Sequence, residues 1–78
     1  MGVTQQQEIK ARPNQIRALD AFRRARRVTL DALAQRFAEG TRSVSWLSRA
    51  LAGYVPLTQT QVRELRQIIE QLAAEGNR

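Results

Sequence analysis

The side chains of this sequence best suited to recognising another molecule are arginine guanidiniums, and they gather in two places. One is RRARR, which holds Arg23, Arg24, Arg26 and Arg27. The other is RSVSWLSR, running from Arg42 to Arg49, which also carries the sole tryptophan and three serines. A guanidinium donates two parallel hydrogen bonds to a phosphate or to guanine O6 and N7, a serine hydroxyl reaches base edges or phosphate, and an aromatic ring packs on a thymine methyl. This is the chemistry of binding and not of bond-breaking. With no cysteine and no histidine, the chain has no thiolate or imidazole for a zinc site, no disulfide and none of the usual acid/base machinery. We therefore expect no enzyme activity, no metal, no cofactor and no small-molecule substrate.

The charge balance names the partner class. The net charge is +6 and the isoelectric point near 11.5, which calls for nucleic acid or an acidic surface. Residues 1–28 carry seven cations against two anions, whereas residues 54–78 carry three of each. The anionic partner should meet the front of the molecule. No stretch has signal-peptide character and none reaches the roughly 18 apolar residues of a spanning helix, so a cytoplasmic, membrane-free protein is expected.

These arginines need helices to position them. In 78 residues a chain buries only about 60% of its unfolded surface, so the core must be economical or shared with a second copy. Residues 1–12 read as a flexible polar arm ahead of a single domain over 13–75. Pro13 and the capping residue Asn14 precede Ile16, Leu19 and Phe22, which predicts a helix over about 14–26. Thr29 caps a second over about 30–38, with Leu30, Leu33, Ala34 and Phe37 inward and Gly40 at positive φ. Val44, Leu47 and Leu51 predict a third over about 42–52, closed by Gly53. Thr58 and Gln61 form a capping box for a fourth over about 59–74. No strand or phosphate-loop pattern appears, so the fold class is all-α, a compact bundle of four or five short helices.

At about 100° per residue, Val44, Leu47 and Leu51 fall together, and Arg42, Ser45, Trp46 and Arg49 cluster opposite. We read the outer group as facing base edges; the alternative is a Trp46 half-buried against a neighbouring helix beside solvated arginines. Val62, Leu65, Ile68, Ile69 and Leu72 make a stripe on the fourth helix wider than a narrow seam. Some of this stripe must cover the core, and the surplus on Leu65, Ile68, Ile69 and Leu72, alone or with Tyr54, Val55 or Leu57, is expected at a homodimer interface.

The segment LDALAQRFAEGTRSVSWL, residues 30–47, resembles the helix-turn-helix of small phage and plasmid repressors of the lambda-repressor and Cro type. Leu33-Ala34, Phe37, Val44 and Leu47 match its buried places without a gap, although Ala38 and Glu39 stand where a glycine and a hydrophobic residue are usual. A second register, with the turn three residues longer, gives Leu47 the buried place and matches LSRALAG to the end of the recognition helix. The resemblance implies base reading by Arg42, Ser45, Trp46 and Arg49. It implies backbone contact near Thr41, and phosphate contact by Arg23, Arg24, Arg26 and Arg27 beside the Thr29 cap. It also implies a two-fold dimer on a palindromic operator, with half-sites about 34–36 Å apart.

The expected function is a sequence-specific regulator of transcription, a repressor of phage or plasmid type bound to double-stranded DNA. Two other classes fit the same charge: a basic helical RNA-binding protein of the ribosome-associated kind, and an interaction module for an acidic protein.

Overall fold

A computed structural model describes residues 9–76 of the chain, and over them the fold is all-α. Helices α1 (Pro13–Ala25), α2 (Leu30–Arg36), α3 (Val44–Leu51) and α4 (Gln59–Gly76) enclose one core, with a short 3-10 turn, Phe37–Gly40, after α2. Leu33, Leu47, Leu65 and Ile69 lie at its centre with no exposed surface. Ile16 and Leu19 close it from α1, and Leu57 closes it from the connection before α4.

Local chemistry explains each boundary. The residue before a proline is pushed out of the helical region, and Arg12 accordingly lies at φ −85°, ψ 155° as the N-cap of α1. Asn14, expected to cap, sits inside the helix instead, and the Arg12 N–H donates to Gln15 Oε1 at 2.7 Å. At the other end the Val28 N–H reaches Arg23 O and the Arg27 N–H reaches Arg24 O, at 3.2 and 3.0 Å. These two bonds close the helix in the manner that normally uses glycine, here with Arg27 at φ 60°. Thr29 caps α2 as expected, accepting from the Ala32 N–H at 3.1 Å. The capping box of α4 also forms, with Thr58 N–H on Gln61 Oε1 at 2.9 Å and Gln61 N–H on Thr58 Oγ1 at 3.1 Å.

The connection from α2 to α3 departs most from expectation. Helix α2 stops at Arg36, because Phe37 turns to an extended backbone and buries its ring at 2% exposure. Ala38, Glu39 and Gly40 then follow one another at φ 52°, 58° and 81°. For residues with a Cβ this left-handed conformation costs roughly 1–2 kcal/mol each. Glu39 is exposed, so Glu39→Gly should remove the strain at no packing cost. After the entropy of an added glycine is deducted, a gain of about 0.5–1 kcal/mol remains, raising Tm by about 2–6 °C. Glu39→Ala, which keeps the Cβ, should leave Tm nearly unchanged. A glycine variant that melts no higher than the parent in differential scanning calorimetry overturns this account of the turn.

Two further expectations are corrected. Part of the flexible arm is fastened: Lys10 bridges Thr58 in antiparallel fashion, the Ala11 N–H donates to Leu57 O and the Gln59 N–H to Ile9 O, each at 2.7 Å. The remainder of that arm, residues 1–8, lies outside the described residues. On α4, Leu65, Ile68 and Ile69 are buried within this one chain, and Leu72 is partly buried against the same core. They were expected at a dimer interface, but α4 packs on α1 and α2 at once, and covering two neighbours takes a wide stripe.

Candidate nucleic-acid interface

Helix α3 begins at Val44, where the Ser43 hydroxyl accepts from the Trp46 N–H at 3.0 Å. It ends at Leu51 and is closed by Gly53, whose φ of 95° lets the Tyr54 N–H reach Arg49 O at 2.9 Å. Leu47, Ala50 and Leu51 face the core. The opposite side presents Ser45, Ser48, Arg49 and Ala52, all exposed. Three short side chains around one arginine leave the helix backbone able to approach a flat or grooved partner closely.

The four residues expected to read bases are thus divided. Ser45 and Arg49 lie on the outer stripe. Trp46 lies at its flank, half-buried, its indole stacked on the Phe37 ring at 5.9 Å between centroids and 17° between planes. Arg42 precedes the cap of α3, and its guanidinium lies over that indole at 4.7 Å. Trp46 and Arg42 therefore form a packed lid on Phe37, not part of the outer stripe. Val44, expected inward, is 38% exposed. Ser48 was missed, although with the helix starting at Val44 it falls three residues after Ser45 on the same side.

The cations of the α1–α2 junction divide too. Arg23 is turned inward: its Nε and Nη2 donate to Asp20 Oδ1 at 3.1 and 2.9 Å, and its Nη1 donates to Val28 O at 2.8 Å. Its side chain is 13% exposed, so little of the guanidinium is open to a phosphate. Arg24 gives its Nε to Asp20 Oδ2 at 3.0 Å yet stays 73% exposed. It shares a small recess with Leu30 and Ser48, which brings it beside the outer stripe of α3. Arg26 lies over the Phe22 ring at 3.6 Å, a ring that Arg66 also approaches at 4.8 Å. Arg27 is exposed, with no ion pair among the described residues. Thr29 is engaged as a cap but remains exposed. Thr41 donates its hydroxyl proton to Ala38 O at 2.7 Å, so it has none for a phosphate, which at neutral pH only accepts.

At the ends of α2 and α4, Arg36 and Glu75 form a two-pronged pair at 2.6 and 2.8 Å. The hydrogen bonds that Arg36 donates to Glu75 hold its guanidinium above its ordinary range. Among the described residues no helix is long and apolar enough to cross a membrane, and no three His, Cys, Asp or Glu side chains come together as a metal site would require. No family model matches the sequence, and comparison with curated proteins and with solved structures finds no match.

Proposed function

We propose that this chain is a sequence-specific DNA-binding regulator of transcription that lays α3 in the major groove and acts as a small repressor. The observation that carries the reading is the outer stripe of α3, Ser45, Ser48, Arg49 and Ala52, with exposed Arg24 beside it. Short side chains let the helix sit deep, serine hydroxyls reach base edges, and Arg49 supplies the two-pronged contact that distinguishes guanine. Arg24 and Arg27 provide the phosphate contacts that fix register without reading sequence. The resemblance to lambda-repressor and Cro-type proteins supports the same reading in its longer-turn register. Val44, a buried place only in the ungapped register, is 38% exposed, whereas Leu47, which takes that place in the longer one, is fully buried.

Selection of bound duplexes from a random pool tests the proposal, with a folded RNA as competitor. A motif containing guanine in each half-site should emerge, bound about 10³-fold or more tighter than random duplex. A pool that yields no motif, with RNA bound as tightly as DNA, overturns the reading in favour of a general RNA binder.

A further inference from the structure

Two guanidiniums converge on one ring of α1. Arg26 stands 3.6 Å and Arg66 4.8 Å from the centre of Phe22, and like charges brought together in this way repel. The carboxylates of the chain offset them little. Arg26 has no ion pair among the described residues, Glu70 reaches Arg66 only at 3.8 Å, and Asp20 is taken by Arg23 and Arg24. Beside the two cations runs a groove of about 350 Å³ between α1 and α4, with Ala18, Leu19, Phe22 and Val62 as its apolar floor and Arg66 on its wall. One end is closed by Gln15 and Gln59, whose side-chain amides satisfy each other at 2.7 and 3.0 Å.

The groove is turned away from α3. Ala18 and Phe22 stand two residues from Asp20 and Arg24, about 200° away around the helix, and so occupy the other flank of α1. Its second wall, α4, packs on α1 and α2 and not on α3. We infer that this groove docks an acidic segment of another protein, an apolar side chain entering between α1 and α4 while a neighbouring carboxylate meets Arg26 and Arg66. The site specifies both halves of that ligand. Two cations left largely uncompensated call for a carboxylate. The floor calls for a side chain of leucine or phenylalanine size, because neither a sugar-phosphate backbone nor an inorganic anion offers apolar surface to cover it. From Gln15 to Phe22 the groove spans two turns of α1, roughly 10 Å, the length of a short segment. This inference goes beyond the DNA reading and does not depend on it: with α3 against DNA, the α1 and α4 face is left open to a partner.

The test uses the 78-residue chain without DNA. Short peptides selected on it from a random displayed library should share an aspartate or glutamate three or four residues from a leucine or phenylalanine. A synthetic peptide of the selected sequence should shift the amide NMR signals of Ala18, Phe22, Val62 and Arg66, and its scrambled form should bind about 10-fold or more weaker. Arg66→Gln should weaken the selected peptide about 5-fold or more, the threshold of a central interface residue. Ala18→Gln, which lays a longer neutral side chain across the floor, should weaken it with the net charge unchanged. Ala18 and Arg66 are both exposed, so the two variants should keep the parent's helicity and melting behaviour, while Arg49→Ala should bind the peptide like the parent. Selected peptides that lack acidic residues, a scrambled peptide bound equally well, or shifts on α3 in place of the groove overturn the inference. So does RNA, or a phosphatidylserine vesicle, that binds through Arg66 as tightly as the peptide. A peptide that binds in the groove of a chain selecting no DNA motif refutes the DNA reading alone; a selected DNA motif with no enriched peptide refutes this groove alone.

Discussion

Ile69→Ala will destabilise the chain by about 2–5 kcal/mol, the range for truncating a fully buried aliphatic residue where the surroundings only partly collapse. Ile69 has no exposed surface and packs in one cluster with Leu33, Leu47 and Leu65. A domain of this length has a total stability of roughly 4–12 kcal/mol, so the loss removes a large fraction of it. Urea titrations followed by circular dichroism should show the midpoint fall while the slope stays near the parent's. The decrement should be the same at low and high protein concentration, because the side chain is covered by its own chain. A variant that melts like the parent but associates less would return Ile69 to the dimer interface and contradict the core described above.

What the sequence makes legible follows from how local the physics is. Thr29, the Thr58–Gln61 pair and the positive φ of Gly40 and Gly53 are decided within four residues, by hydroxyls that satisfy orphan N–H groups and glycines that tolerate left-handed backbone. All four appear as expected. The left-handed Ala38 and Glu39 are not legible, since neither residue type signals that conformation; the burial of Phe37 imposes it from outside the segment. Helical spacing likewise identifies the stripe on α4 but not the number of neighbours that cover it. Ile68 and Ile69 look like surplus surface on a wheel and prove to be core, because α1 and α2 flank α4 together.

The same limit governs the candidate site. A wheel places Trp46 by the direction of its Cβ, while the long indole leans sideways to stack on Phe37 across the turn. Counting cations finds four arginines at the α1–α2 junction but does not see Asp20, which holds Arg23 through two donors and Arg24 through one. Arg49 remains on the outer stripe however the turn is aligned, because its burial depends only on its spacing from Leu47 and Leu51.

Arg49 and Arg27 are therefore the pair that separates base reading from phosphate contact. Arg49→Ala should cost about 1–3 kcal/mol per half-site and relax preference at one base pair in each, while random duplex is bound nearly as before. Arg27→Gly should act differently on stability and on binding. Arg27 occupies the position closing α1 at φ 60°, where glycine is favoured, so the variant should be more stable by about 0.5–1 kcal/mol. Losing the guanidinium should weaken specific and random duplex alike. Each phosphate no longer neutralised flattens the slope of log affinity against log salt by about 0.9 per subunit engaged. A side chain retained at a strained position although glycine is more stable there is the pattern expected when function selects the residue. Thermal melts and salt titrations on selected and random duplexes read both quantities. If Arg27→Gly binds DNA as the parent does, the cation there serves no phosphate; if Arg49→Ala weakens both duplexes equally, α3 contacts the backbone and does not read the bases.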